Sequence, residues 1–125
     1  MMRYVLVVLA VLFLALPAFA ATATLTWTDT ANNEMGFNVE RAPAACPATS
    51  ATWAIIATPG ANVETYADAT IVSGSSYCYR LNAWNTVDGT PGGTKQYSAY
   101  SNTAGLTVPF GIPAVPSQLG VTVSP

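Results

Sequence analysis

The run from Ser76 to Asn85, S-Y-C-Y-R-L-N-A-W-N, constrains this chain more than any other stretch. A period of two puts Tyr77, Tyr79, Leu81 and Ala83 on one face and Cys78, Arg80, Asn82 and Trp84 on the other, which is the alternation of a β-strand with one face in a core. Ten residues of largely aromatic and apolar character need hydrogen-bonding neighbours on both sides, so a central place in a sheet is expected.

The runs that would pair around it are shorter. Ala23 to Thr28 reads as a strand with Leu25 and Trp27 inward, and Phe37 to Arg41 as one with Phe37 and Val39 inward. Trp53 to Thr58 and Val63 to Tyr66 (Tyr66 inward) follow the same reading, and Tyr97 to Val108 contains the returning strand. Asp29 to Gly36 and Pro59 to Asn62 are turns, and the glycine and proline of Thr86 to Gln96 make that segment a loop. No helical period occurs after Leu16. Short strands separated by turn residues predict an all-β fold, a two-sheet antiparallel sandwich.

The N-terminus reads differently. Arg3, an apolar run from Tyr4 to Leu16 and the small-x-small pattern Ala18-Phe19-Ala20 are the marks of a secretory signal peptide over residues 1–20. The run is short for a membrane span, so no span is expected in the mature chain. The product is expected to be secreted, extracellular or periplasmic. Beyond residue 20, Arg41, Arg80 and Lys95 stand against Asp29, Glu34, Glu40, Glu64, Asp68 and Asp88, a net charge of −3 that disfavours nucleic acid as a partner. Cys46 and Cys78, in an oxidising compartment, are expected to form one disulfide.

The sequence contains no histidine, which removes the commonest general base and metal ligand at neutral pH. The carboxylates are not spaced as a hydrolytic pair and read as solvated surface groups. Asp29, Asn32, Asn33 and Glu34 lack the spacing of a calcium loop and are explained by turn capping. The expectation is a protein without catalytic residues, metal or cofactor. Trp84, on the outward face, either stacks on a polysaccharide or protein partner or packs beneath a neighbouring loop.

Six separated elements, L-T-W-T-D, N-E-M-G-F-N-V-E-R, T-W-A-I-I-A-T, T-Y-A-D, S-Y-C-Y-R-L-N-A-W-N and Y-S-A-Y-S-N, resemble in content and order those of a fibronectin type III module. The resemblance covers Thr22 to Pro109, so a module at 21–109 is expected between the signal peptide and a C-terminal segment, 110–125. It implies strands A, B and E in one sheet and C, C′, F and G in the other, with Trp27 in the core and Tyr77 at the tyrosine corner. Neighbouring strands C and F would bring Cys46 and Cys78 together on the outer face of the larger sheet, unlike the inter-sheet bridge of immunoglobulin domains.

One departure from the family bears on function. Only Ala21 and Thr22 stand between the expected cleavage point and strand B, whereas Gln118 to Val123, behind a proline-bearing lead-in, resembles the family's first strand. Leu119, Val121 and Val123 would face inward and complete the A-B-E sheet. The connector Phe110 to Ser117 reaches at most about 26 to 29 Å, against poles about 30 to 35 Å apart for strands of some ten residues. Self-association through exchange of this strand is therefore expected in preference to self-completion, or to a disordered tail left from a longer tandem array.

Overall fold

The computed structural model describes residues 21–111, 113 and 115–124; the signal peptide expected over 1–20 lies outside them. Seven strands follow in order: β1 (Ala23–Thr26), β2 (Gly36–Ala42), β3 (Ala54–Ala57), β4 (Thr65–Asp68), β5 (Ser76–Thr86), β6 (Lys95–Tyr97) and β7 (Ala104–Thr107). They form an all-β antiparallel sandwich of two sheets, β1-β4 and β3-β2-β5-β6 with β7 also on β5.

β5 is the central strand of the larger sheet. β2 lies along one edge, from Gly36 opposite Trp84 to Ala42 opposite Cys78. The other edge is shared: β6 sets Tyr97 against Trp84, and β7 sets Leu106 against Tyr77. The single returning strand expected from Tyr97 to Val108 is thus two strands. Between them the ladder passes through serine hydroxyls. Ser98 and Ser101 donate their amides to the carbonyls of Ala83 and Leu81, while their Oγ atoms accept the amides of Ala83 at 2.9 Å and Leu81 at 3.1 Å. Side chains replace backbone carbonyls here, so β5 keeps its partners while the edge bends away.

The inward face of β5 meets the smaller sheet. Tyr77, Tyr79, Ile71 and Val108 are buried together, with Leu25, Ile56 and Leu106 packed against them. Phe37 and Val39 are buried, and Phe37 meets Trp27 edge to face at 5.6 Å. The Tyr77 hydroxyl accepts the Val72 amide at 3.1 Å, closing the corner before β5 as the tyrosine-corner reading implies. Leu25, Trp27, Tyr66 and Leu81 are only half-buried. Tyr66 sits on the two-stranded sheet, and the other three border an opening beside β1.

Asp68 corrects the expectation of surface carboxylates. It ends β4 and is 1 % exposed. Its carboxylate accepts Arg41 Nη1 at 2.7 Å from β2, the Tyr79 hydroxyl at 2.8 Å from β5, and the Thr70 hydroxyl and amide at 2.6 and 3.0 Å. Burial raises its pKa, but the hydrogen bonds from Thr70, Arg41 and Tyr79 outweigh burial and bring it from 3.8 to about 2. Glu40 is buried as well, covered by Arg80 at 3.0 Å.

On the outer face of the larger sheet the Cys46–Cys78 disulfide closes with a Cα–Cα distance of 5.1 Å. It holds the segment after β2 down on Ala42 and Cys78, with Ala48 buried and Trp53 packed against the cluster. This second, smaller core has no apolar strand of its own and depends on the cross-link.

Two predictions follow from these contacts. Because the folded pKa of Asp68 lies below the ordinary value of 3.8, its contribution is complete above about pH 4 and disappears as pH falls through about 2, a loss of about 2 kcal/mol. Denaturant titrations from pH 5 to 2 check this: Asp68→Asn should be less stable at pH 5 by about 3 kcal/mol and should lack this component of the acid loss. Removing the disulfide with the pair Cys46→Ala and Cys78→Ala should cost about 3 to 4 kcal/mol for a separation of 32 residues, read from denaturation midpoints, and unreduced native protein should show no alkylatable thiol.

Candidate functional site: an open groove beside the first strand

β1 pairs with β4 alone, from Ala23 opposite Asp68 to Thr26 opposite Thr65. The Trp27 amide extends the ladder to the Glu64 carbonyl. In an antiparallel pair the backbone groups alternate in direction, so Ala23, Leu25 and Trp27 turn theirs towards β4, while Thr24 and Thr26 turn theirs towards the opposite edge. Among the described residues no strand occupies that edge.

The consequence is a groove of about 1040 Å³ between β1 and the edge of the larger sheet formed by Ser98 to Asn102 and β7. Its floor is the sandwich core itself, Leu25, Trp27, Phe37, Tyr79, Leu81 and Leu106. Ser98 and Ser101, whose side chains complete the β5 ladder, stand along the far rim. Leu25, Trp27, Leu81 and Leu106 are half-buried because each is covered on one side and open on the groove side. The Trp27 indole N–H is secluded from solvent and has no hydrogen-bond partner among the described residues.

The segment expected to fill such an edge lies free. Residues 115–124 pair with no strand, and Leu119, Val121 and Val123 are 99 %, 91 % and 91 % exposed. Self-completion therefore does not occur in this conformation. The chain leaves β7 through Val108, which exchanges backbone hydrogen bonds with Gly74 and Ser75, and the Phe110 ring then lies where a side chain at Gly74 would be. Gly74 has φ +80, which favours glycine in any case.

Trp84 is half-buried on the outer face. It lies across β2 at Gly36, where a Cβ would come within 2.9 Å of its Nε1, and Lys95 Nζ sits 4.2 Å from its ring centroid. Further along, Arg80 is held between Trp53 and Tyr100 at 4.1 and 3.8 Å. The aromatic faces of this sheet are therefore largely engaged by the protein's own cations. Tyr97, 56 % exposed, is the freest ring beside Trp84.

In the Asp29 to Glu34 loop the Asp29 carboxylate serves the local backbone, while Glu34 Oε2 is buried with no hydrogen-bond partner among the described residues. Asp29 caps Ala31 at 3.1 Å, and Glu64 accepts the Asp29 amide at 2.9 Å. Desolvation and the neighbouring Glu34 raise the Asp29 carboxyl above its ordinary value. Among the described residues no three carboxylates or cysteines are grouped as metal ligands, and no helix is long and apolar enough to cross a membrane.

Comparison with known proteins leaves the geometry to speak for itself: no family model, curated protein or solved structure matches this chain.

The open groove makes its own prediction. A fully buried tryptophan costs about 3 to 5 kcal/mol on truncation to alanine; with one side of Trp27 uncovered, Trp27→Ala measured on dilute monomer should cost nearer 2 kcal/mol. A loss above 4 kcal/mol would mean the groove is closed in solution.

Proposed function

We propose that this protein is a secreted, non-catalytic interaction module of fibronectin type III-like build, whose groove beside β1 receives a β-strand. The strand comes from residues 118–123 of a second copy, and repeated donation makes an extracellular filament. One observation carries the reading: an apolar groove with an unpaired strand edge coexists, in one chain, with an exposed segment whose apolar residues alternate at the period a strand requires. A free edge over an exposed core is a liability that a paired strand removes. The contact joins two different surfaces, so it propagates instead of closing.

Magnitudes favour reversible assembly. Burying three aliphatic side chains contributes about 1.5 to 3 kcal/mol each, while ordering six residues costs about 1 to 2 kcal/mol each. The two nearly offset. The net gain comes from new backbone hydrogen bonds and from covering Leu25, Trp27, Leu81 and Leu106 of the acceptor.

A non-catalytic role accords with the absence of histidine from the sequence and with the structural duties of Asp68 and Glu40. The alternative role, a polysaccharide-binding outer face, has less support because Lys95 and Gly36 already take up the surfaces of Trp84.

Size-exclusion chromatography with light scattering, and electron microscopy, would compare the full-length protein with one lacking residues 111–125. The full-length protein should form concentration-dependent oligomers and fibres, and the truncated one should be monomeric. A monodisperse full-length monomer whose stability is unchanged by truncation would refute the proposal.

A further inference from the structure

The groove and the tail fix a direction as well as a partner. Val108 packs in the cluster that includes Ala21 and Ala23, so the chain leaves β7 at the pole where β1 begins. A tail folding back into its own groove would start at Ala23 and run towards Trp27, parallel to β1. A tail arriving from a copy stacked on the opposite pole would enter at Trp27 and run towards Ala23, antiparallel to β1. Orientation therefore separates head-to-tail stacking from self-completion and from reciprocal exchange.

Resting on the strand-donation reading above, we infer that the donated segment lies antiparallel to β1 in one register, with Leu119 opposite Trp27, Val121 opposite Leu25 and Val123 opposite Ala23. Three observations select it. The three inward positions of β1 meet three inward positions of the tail, and directly opposite residues in a sheet point to the same face. Apolar side chains meet throughout, since Trp27 receives leucine while the β-branched valines meet Leu25 and Ala23, and Leu25 and Trp27 both line the groove. The hydrogen-bond phase also agrees. Thr24 and Thr26 turn their backbone groups to the open edge, and this register sets them opposite Thr122 and Gly120 as hydrogen-bonded pairs. A one-residue slip would turn all three apolar tail residues to solvent.

The filament this builds is polar: the pole bearing Ala21, Gly74 and Val108 of each copy meets the Trp27 pole of the next. A parallel strand would give instead a self-completed monomer or, by reciprocal exchange, a closed dimer.

The test uses full-length single-cysteine variants with the native disulfide intact, mixed in pairs, co-refolded and oxidised mildly. Opposed residues of a hydrogen-bonded pair lie about 5.5 Å apart at Cα, within disulfide range. Thr26→Cys with Gly120→Cys, and Thr24→Cys with Thr122→Cys, should give disulfide-linked heterodimers on non-reducing gels. Thr24→Cys with Gly120→Cys, and Thr26→Cys with Thr122→Cys, should not. Linkage through the second two pairs in place of the first would overturn the inference while leaving strand donation standing, because a parallel or slipped strand brings those pairs together. Unmodified protein that stays monomeric under the same conditions would overturn both. Linkage of Gly120→Cys to either Thr24→Cys or Thr26→Cys within a monomeric double variant would overturn the exchange itself.

Discussion

The sandwich depends on one buried carboxylate. Asp68 stands at the end of β4, opposite the first residue of β1, and accepts hydrogen bonds from both Arg41 of β2 and Tyr79 of β5. Asp68 belongs to the smaller sheet and its Arg41 and Tyr79 partners to two neighbouring strands of the larger one, so a single carboxylate ties the two sheets together. Arg41 is in turn held 4.8 Å from the Tyr77 ring, and Tyr77 reaches the Val72 amide. A buried ion pair often adds little net stability over an apolar substitute, but removing one partner leaves the other uncompensated. Its value here is geometric. The pole around Asp68, Ile71 and Val108 is pinned, so the opening beside β1 keeps a definite shape.

Much of this could be read in the residues before any coordinates. Alternation from Ser76 onward located the central strand and the two faces of β5, with Tyr77 and Tyr79 in the core and Cys78 carrying the disulfide on the outside. The two-sheet antiparallel sandwich was legible in the succession of short strands and turns, whereas the three-stranded first sheet implied by the fibronectin type III resemblance is a pair, β1 and β4, among the described residues. What alternation does not report is a partner across the sandwich. Asp68 stands two positions past the strand read as Val63 to Tyr66, and Arg41 is 27 residues away, so a carboxylate beyond a strand end reads as solvated. The broken edge strand was hidden for a different reason: Ser98 and Ser101 mimic backbone acceptors with their hydroxyls, and serine carries no signal of that use. Trp84 looked available from its facing, but the cation that covers it belongs to Lys95 of β6, a strand read as part of a loop.

Two surfaces were candidates for function, and the structure treats them in opposite ways. On the outer face, aromatic rings are matched with arginine and lysine, carboxylates with arginine, and the segment after β2 is clipped down by the disulfide. Beside β1, core residues are left half-covered and a strand edge is left unpaired. Covered polar and aromatic groups stabilise a fold; an uncovered core beside an open edge calls for a further strand. That contrast is what supports the proposal of recognition in the groove.

The central claim, that the open edge of β1 is filled by the tail of another copy, is met most directly by amide hydrogen exchange at Thr24 and Thr26. Their amides face the open edge, whereas those of Leu25 and Trp27 face β4. The account predicts that Thr24 and Thr26 exchange slowly in concentrated full-length protein and quickly after dilution or removal of residues 111–125, with Leu25 and Trp27 still protected in the truncated monomer. Fast exchange at Thr24 and Thr26 in concentrated full-length protein, with Leu25 and Trp27 protected, would contradict it.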